Sequence, residues 1–280
     1  LKEYNCSQHS TLSSPLDPLV KLRAEEGPLL SDPAYYRKLV GKLNYLTNTR
    51  LDIAYGVQHL SQFMHAPRQP HLKAAFHMLR YLKQDPTLGI FMSNSDDYSV
   101  RSFCDSDWAS CPDSRKSVTG YVVLLGTSPV SWKSKKQETI SLSSAEAEYR
   151  SLASTVAEIV WLTKLFKELA IDLQLPIPLH SDSKSAIQIA LNPVFHERTK
   201  HIDLDSHFIR ERIQQGLVHL LHLPSSEQLA DVLTKGLTHI QHSYLVCKLG
   251  MKNLFIAPSL REGVEELTTC TVVPSLNSVI

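Results

Sequence analysis

Residues 102–109, SFCDSDWA, begin like a buried strand and end in two acids, Asp105 and Asp107. Around them, YSVRSFCD, SVTGYVVLLG and PVSWKSKKQETIS have the composition of three successive strands. The intervening CPDSRK and Gly126-Thr127-Ser128 are typical of hairpin connections. This stretch therefore predicts three antiparallel strands, the first of which carries acids at its carboxyl end.

Helices and strands alternate after this hairpin region. A long helix is predicted over 143–170, with a buried stripe that includes Tyr149 and Leu169. PIPLHS predicts a fourth strand, SKSAIQIAL a short helix, LDSHFIRERIQQG a further helix and LVHLLHL a fifth strand. Ser225 and Gln228 have the spacing of a capping box, which predicts a last helix there. The order predicts a mixed α/β fold, a five-stranded mixed sheet with flanking helices.

The residues before this region have a different pattern. The first thirty show little periodicity and predict a loop-like opening segment. Asp32 and Pro33 then have the features of a helix start, and apolar residues recur at helical spacing until Asp85-Pro86. We therefore divide the chain into a loop-like opening segment (1–30), a small basic helical segment (31–93), an α/β domain (98–240) and a poorly specified tail (241–280).

The composition is that of a globular protein. The chain has 280 residues, 42% hydrophobic and 20% charged, enough for an ordinary domain and a smaller one beside it. It has neither a long apolar run nor a signal-peptide pattern, so we expect an intracellular protein that is not secreted or membrane-inserted. Five cysteines without a Cys-x-x-Cys pair favour free thiols and argue against zinc. Because the first residue is Leu, we expect a piece of a longer protein.

Basic residues are concentrated in the helical segment. Between 33 and 92 there are eight Lys and Arg against two Asp, whereas 101–235 has 15 basic and 16 acidic residues. A basic stretch beside a nearly neutral domain suggests that the first part holds a polyanion on which the second part acts. A solvated helix face explains the same charge count equally well.

Four acids are predicted to converge at one edge of the sheet. Asp105 ends the first strand and Asp182 ends the fourth, which we expect beside it. Glu148 lies one turn into the long helix, and Asp231 lies early in the predicted last helix. Such acids repel one another, and divalent cations with a preference for oxygen ligands, Mg²⁺ or Mn²⁺, relieve the repulsion. Two such ions would support hydrolysis of a phosphodiester, which is nuclease chemistry.

Each acid also has a structural interpretation. Asp105 and Asp107 are residue types that commonly form turns at strand ends. Glu146, three residues after Ser143, completes a capping box, so Glu148 rather than Glu146 is assigned to the chemistry. Asp182 precedes a short helix and could be its N-cap, and Asp231 could be an ordinary exposed acid.

Four stretches resemble the ribonuclease H domain of Pol polyproteins from copia-type LTR retrotransposons. They are FCDSDWASCPDSRKSVTGYVVLLG, SWKSKKQETISLSSAEAEYRSLASTVAEIVWL, HSDSKSAIQIALNPVFHERTKHIDLDSHFIRE and EQLADVLTKGL. YRKLVGKLNYLTNTRLDIAYGVQHLSQFMHAP and HLKAAFHMLRYLKQDPTLGI are similar to the segment that connects the polymerase to that domain. Together the matches cover about 35–240. The resemblance implies the ribonuclease H fold and cleavage of the RNA strand of an RNA–DNA hybrid.

The resemblance also assigns roles to the four acids. It implies that Asp105 bridges two metal ions and that Glu148 holds the ion on the leaving-group side. Asp182 would orient the attacking water, and Asp231 would complete the other metal site. Asp107 remains the alternative for the first position, because Asp-Ser-Asp offers two candidates.

Histidine and tryptophan residues near these motifs are assigned no catalytic role. Many ribonucleases H have a His before the final acid, but the nearest candidates, His219 and His222, fall within the strand pattern LVHLLHL. A proton-shuttling His is therefore not predicted. Trp108 and Trp132 are expected in the core or half-buried, because a duplex substrate offers no unstacked bases for them.

Several side chains are candidates for contact with the substrate. Phosphate contacts are predicted for basic residues of the first hairpin, the third strand and HERTKHID: Arg115, Lys116, Lys133, Lys135, Lys136, Arg198, Lys200 and His201. Contacts with 2′-hydroxyl groups are predicted for serines near the acids: Ser106, Ser144 and Ser183. Scattered surface charge is the alternative for each basic residue.

Other functions are weighed against this one. The chain lacks the Tyr-x-Asp-Asp turn of a reverse transcriptase palm, since its only Asp-Asp pair is Asp96-Asp97, so no polymerase activity is predicted. An integrase would end its acid set with Glu rather than with ADVLTK. A non-catalytic hybrid-binding module and a structural part of a larger Pol protein remain as alternatives. The expected partners are an RNA–DNA hybrid and the rest of the Pol polyprotein with its polymerase palm, in virus-like particles or the nucleus, without a membrane or a stable small-molecule ligand.

Overall fold

The computed structural model describes residues 1–192 and 203–255. The helices are α1 (Pro33–Leu46), α2 (Ala54–Ser61), α3 (Gln69–Gln84), α4 (Ser144–Glu168), α5 (Lys184–Leu191), α6 (Asp203–Gln214) and α7 (His239–Lys248). The strands are β1 (Val100–Asp107), β2 (Val118–Leu125), β3 (Ser128–Lys136), β4 (Ile177–Ser181) and β5 (Val218–His222). Within these ranges, no helix combines the length and apolarity that crossing a bilayer requires.

The five strands form one mixed sheet in the order β3-β2-β1-β4-β5. β2 pairs antiparallel with β1 and with β3, whereas β4 pairs parallel with β1 and with β5. The helix α4 makes the crossover from β3 to β4. The predicted fold class, an α/β fold with a five-stranded mixed sheet and flanking helices, is confirmed. Because β1 and β4 are parallel neighbours, their carboxyl ends meet at one edge of the sheet.

The two faces of the sheet are buried by different elements. Helices α4, α5 and α6 cover one face, where Tyr121 and Leu179 pack with Leu152 of α4. The other face contacts the segment after β5 and helix α7, through Val122 and Leu245 among others. This second core also includes residues from the turn between α1 and α2, so the helical segment packs directly on the sheet domain.

The helical segment forms a core of its own. Asp32 caps α1 as predicted, accepting hydrogen bonds from two backbone N–H groups of the first turn. Tyr36 of α1 and Met78 of α3 are fully buried. The opening segment contributes Tyr4 and Leu22 to the same core. Its two short 3₁₀ turns and irregular backbone are therefore held in place by apolar packing.

Most of the basic residues in the helical segment have partners within the protein. Lys38 and Lys42 form ion pairs with Glu3, and Arg50 forms a buried ion pair with Asp52. Three other arginines donate to oxygens of the backbone or of Ser10: Arg37, Arg68 and Arg80. These contacts tie the opening segment and the loops onto the helices. Most of the basic side chains of this segment therefore make contacts within the protein. This favours neither a polyanion-binding surface nor a simple solvated face.

The predicted helix at Ser225 and Gln228 is wrong. That region consists of two short 3₁₀ turns, Ser225–Glu227 and Leu229–Leu233. The side chain of Gln228, between them, donates to the carbonyl of Cys104 in β1, a tertiary contact that replaces a capping box. Helix α7 begins two residues before the stretch predicted as a tail and continues into it, where its buried Leu245 anchors it. The tail from 256 onward lies outside the described residues.

Gly120 lies where β2 passes the turn that carries Asp231. A Cβ atom at Gly120 would come within 2.5 Å of Thr234 Cγ2 and 2.9 Å of Leu233 Cβ. Gly120 is also the partner of Asp105 in the pairing of β1 with β2. The absence of a side chain here lets the turn lie against the sheet beside Asp105.

Substitution of this glycine should therefore destabilise the fold. Gly120→Ala is expected to lower the free energy of unfolding by about 1–3 kcal/mol, because the added methyl forces the turn or the strand to shift. Gly41→Ala is the matched control, since a Cβ there meets nothing within 4 Å in helix α1. It should raise the free energy of unfolding by about 0.5–1 kcal/mol through helix propensity. Urea denaturation measures both, and a Gly120→Ala protein as stable as the wild type would contradict the close approach.

Candidate metal centre

Three of the four predicted acids lie together at the carboxyl edge of the sheet. Asp105 is near the end of β1, and Asp182 directly follows β4, its parallel neighbour. Glu148 projects from the second turn of α4, which packs on β1. One carboxylate oxygen from each acid lies within 4.8 Å of the other two. The sequence therefore predicted correctly that these three side chains converge.

Glu148 is the most perturbed member of this acidic cluster of Asp105, Glu148 and Asp182. Its Oε1 accepts a hydrogen bond of 3.1 Å from the backbone N–H of Ser106. Its Oε2 is buried without a hydrogen-bond partner among the described residues. Burial, reinforced by the charges of Asp105 and Asp182, raises the pKa of Glu148 to about 9. Without a bound cation, Glu148 is therefore protonated at neutral pH.

Asp231 lies beside the cluster and is connected to it by Lys235. The Nζ atom of Lys235 is 2.9 Å from Asp231 Oδ1 and 3.6 Å from Asp105 Oδ2. Burial and the charge of Asp105 raise the pKa of Asp231 to about 7, although Lys235 opposes the shift. Burial disfavours the charged form of Lys235, but Asp105 and Asp231 outweigh it and raise the pKa of that ammonium group. The lysine thus supplies positive charge between two acids.

Hydrogen bonds from neighbouring residues fix the position of each acid. Thr234 Oγ1 donates to Asp105 Oδ2, and Ser225 Oγ donates to Asp182 Oδ2 over 2.6 Å. Gln137 Nε2, at the end of β3, donates to the carbonyl of Ala147 over 3.0 Å and so holds the start of α4 to the sheet. These contacts bring five separate segments to one edge.

The structure distinguishes between the alternative roles considered for individual acids. Asp107 lies on the same face of β1 as Asp105 but lines the adjoining cavity and is not part of the acidic cluster. Ser143 caps α4 as predicted by accepting from Glu146 N–H, but the predicted capping box is incomplete, because the Glu146 side chain accepts from Leu142 N–H and pairs with Arg150. The N-cap interpretation of Asp182 is wrong, because Ser183 caps α5 by accepting from Ala186 N–H.

The predicted substrate contacts differ in their surroundings. Lys136 Nζ contacts Gln62 Oε1 and Cys111 Sγ, each at 2.9 Å, so it joins the β1–β2 loop to α2. Lys135 pairs with Glu138, and Ser106 is buried. Ser144, Lys133 and Arg115 are exposed, and Lys116 is half-buried. Arg198, Lys200 and His201 lie outside the described residues.

The histidines and tryptophans are placed as follows. His219 and His222 are exposed on β5. Trp132 is half-buried as expected, and its indole N–H donates to the carbonyl of Thr47. Trp108 is 47% exposed, although its indole N–H is held by the carbonyl of Ser141.

Lys235, Thr234 and Ser225 were missed by the sequence analysis. The spacing of Asp231 and Lys235, four residues apart, was a usable signal for a pair of opposite charges. Ser225 and Thr234 gave no such signal, because their contacts with Asp182 and Asp105 depend on how the segment after β5 returns to the sheet.

Curated relatives of the chain include Pol polyproteins of plant retrotransposons. It is 44% identical over 240 residues to the retrovirus-related Pol polyprotein from transposon RE1 of Arabidopsis thaliana, covering 86% of this chain and 16% of that protein. It is 34% identical over 257 residues to the corresponding polyprotein from transposon TNT 1-94 of Nicotiana tabacum, covering 89% of this chain and 19% of that protein. The chain thus spans less than a fifth of the length of either relative.

Family models and solved structures give less support for a family than these sequence relatives do. No protein-family model matches the chain. The N-terminal RNase H domain of a Mycobacterium tuberculosis protein, solved as a fusion with maltose-binding protein, is 16% identical with a TM-score of 0.37. That match covers 49% of this chain and 91% of the other. On the identity and coverage of its sequence relatives, the chain belongs to the family of Pol polyproteins of copia-type retrotransposons, of which it corresponds to one segment.

Proposed function

We propose that the chain is the ribonuclease H part of a Pol polyprotein and that it hydrolyses the RNA strand of RNA–DNA hybrids with Mg²⁺, or alternatively Mn²⁺. The observation that carries the proposal is the cluster of Asp105, Glu148 and Asp182 at the carboxyl edge of a ribonuclease H-like sheet. Membership of the retrotransposon Pol family supports the choice of substrate.

The chemistry of the donor set suits a divalent cation. Every donor is a carboxylate oxygen, and Glu148 Oε2 is buried without a hydrogen-bond partner among the described residues. When bound, a divalent cation would activate water and stabilise charge on the leaving oxygen. The chain's own residues hold the acids in place, with Ser106 N–H on Glu148 and Ser225 on Asp182.

The charge balance of the site favours two cations. With Glu148 ionised, four carboxylates, Lys235 and one phosphodiester of the substrate carry a formal charge of −4, which two divalent cations neutralise. Asp231 is near enough to share Lys235 with Asp105 and would hold a second ion if it were released from the lysine. The proposal therefore keeps Asp231 in the catalytic set.

The proposal extends to the context of the whole polyprotein. The chain spans a small part of its relatives, so the polymerase palm that supplies the hybrid would reside elsewhere in the protein. We propose that the hybrid reaches the acidic cluster inside the cell, in a particle or in the nucleus.

Cleavage of a labelled hybrid tests the activity. The purified chain should cut only the RNA strand in Mg²⁺ or Mn²⁺ and should not cut in EDTA. Asp105→Asn and Asp182→Asn should each reduce the rate by more than about 100-fold, because loss of a direct ligand exceeds the cost of losing a supporting contact. Asp107→Asn should retain most of the activity, since Asp107 is outside the acidic cluster. Glu168→Gln, at an exposed acid at the end of α4, is the control.

Two results would contradict this assignment. A wild-type chain that binds the hybrid and cuts neither strand in either metal would be a non-catalytic binding module. If Asp107→Asn abolished cleavage and Asp105→Asn did not, Asp107 rather than Asp105 would be the first acid of the site.

The raised pKa of Glu148 predicts how stability varies with pH. Its pKa is about 9 in the folded chain, against 4.5 for an unperturbed Glu, so between these values the folded state binds more protons than the unfolded state. The free energy of unfolding of the metal-free protein should therefore fall as the pH rises from about 5 to 9. Glu148→Gln should remove much of this fall. Urea denaturation in EDTA measures it, with Glu168→Gln as the control.

The same shift predicts the pH dependence of metal binding. Because Glu148 must lose its proton to act as a ligand, Mg²⁺ affinity should rise by up to about tenfold per pH unit below about 9. Calorimetric titration in two buffers measures the affinity and the protons released. Affinity independent of pH, with no proton release, would mean that Glu148 does not bind the ion.

A further inference from the structure

A cavity of about 490 Å³ lies next to the acidic cluster. Its walls are part of the opening segment, the loop between β1 and β2, and the residues around Lys235. Asp107 and Lys235 line it on the side of the acids. We call this space the opening-segment cavity and define it by Lys21, Arg23, Asp107, Trp108, Arg115 and Lys235.

Basic side chains dominate this cavity. Four cations line it, whereas the acids among its lining residues are Asp17 and Asp107. Lys235 already pairs with Asp231, but Lys21, Arg23 and Arg115 have no side-chain hydrogen bond or ion pair among the described residues. This contrasts with the helical segment, where most basic residues are paired. Unpaired positive charge is therefore present beside the acids.

The backbone that presents Arg23 is held on two sides. The carbonyl of Arg23 hydrogen-bonds to Nε2 of the buried His71 at 2.9 Å. The following Ala24 donates its N–H to Asp113 Oδ2 over 2.8 Å and accepts from Arg68 Nε over 2.9 Å. The side chain of Arg23 thus extends from a fixed position between α3 and the β1–β2 loop.

The opposite wall of the cavity is a constrained loop. Ala109 and Arg115, near its two ends, have φ values of 52° and 54°, a left-handed conformation that non-glycine residues rarely adopt. The contacts of Cys111 with Lys136 and of Asp113 with Ala24 hold the loop in this shape. Strain maintained by such contacts is typical of binding sites.

The cavity lies at the right place for a phosphate next to the one that is cut. Asp107 is two residues beyond Asp105 along β1, a distance of about 6.6–6.8 Å. A nucleic acid strand whose reacting phosphate is at the acidic cluster and which runs towards Asp107 would carry its neighbouring phosphate into this region. Basic side chains that bind a phosphate fix the strand without reading its sequence.

We propose that Lys21 and Arg23 of the opening segment bind one phosphate of the cleaved strand, adjacent to the phosphate at the acidic cluster. This inference rests on the proposed function, because it takes the substrate to be a nucleic acid. The opening segment, which the sequence predicts to be loop-like, then becomes part of the substrate-binding surface.

The salt dependence of hybrid binding tests this assignment. Affinities are measured in the Asp182→Asn background, so that the hybrid stays intact. In that background, Lys21→Gln with Arg23→Gln should reduce the magnitude of the slope of log affinity against log salt concentration by about 0.9, the value for one lost phosphate contact. If the affinities converge at 1 M salt, this change corresponds to a loss of affinity of about eightfold at 0.1 M salt. The control, Lys164→Gln with Lys167→Gln, removes the same charge from α4, about 24 Å and about 28 Å from Glu148 along the helix.

A neutral linkage in the substrate identifies the phosphate. Single methylphosphonates are placed in turn near the cutting site on each strand. At one position in the RNA strand, the methylphosphonate should abolish the difference in affinity between the Asp182→Asn protein and the protein that also carries Lys21→Gln and Arg23→Gln. It does so because it removes the charged phosphate that both side chains contact. An unchanged slope, a slope that falls equally in the control, or equalisation by a linkage in the DNA strand would overturn the proposal.

The outcomes distinguish this inference from the proposed function. If the unsubstituted chain neither binds nor cuts the hybrid, both fail. If it cuts the RNA strand but the slope remains the same without Lys21 and Arg23, the ribonuclease assignment stands and the role of the opening segment is wrong.

Discussion

Mutual repulsion among buried carboxylates is the constraint on which the rest of this structure depends. Asp105, Glu148 and Asp182 each place a carboxylate oxygen within 4.8 Å of the other two, so that burial and the charges of Asp105 and Asp182 disfavour ionisation of Glu148. The fold offsets the repulsion with Ser106 N–H, Thr234 and Ser225 as donors and with Lys235 as a counter-charge. Glu148 responds by retaining its proton at neutral pH. A site assembled in this way favours the binding of cations.

Thr234, Ser225 and Lys235 all belong to the segment after β5, so that segment must lie against the sheet. Gly120 permits the approach, and Gln228 secures it with a hydrogen bond to the carbonyl of Cys104. Helix α7 then packs beside the turn and brings His242 next to the ring of Tyr81 in the helical segment. Tyr81 in turn donates to Asp52, the partner of Arg50. The helical segment and the acidic cluster are thus connected through one continuous set of buried contacts.

The parts of the fold that follow from local pattern could be predicted, and those that depend on tertiary contact could not. The end of β1 and the parallel position of β4 were enough to bring Asp105 and Asp182 together. Asp231 was placed on a helix because its surroundings have capping-box residues, yet Gln228 uses its side chain on β1 instead. The buried stripe of α4 was wrong at Leu169, which lies just after the helix ends and is exposed, while Leu162 is buried.

The charge count along the sequence gives the amount of positive charge in each segment. It does not show where unpaired positive charge lies in the folded chain. The helical segment has the largest excess, but Glu3, Asp52 and backbone carbonyls engage most of it. Lys21 and Arg23, in a stretch that also contains Glu25 and Glu26, contribute little to any local count. They line the cavity beside the acids while neither glutamate does. A charge attracts a polyanion only where the protein leaves it unpaired, and pairing is a property of the folded chain.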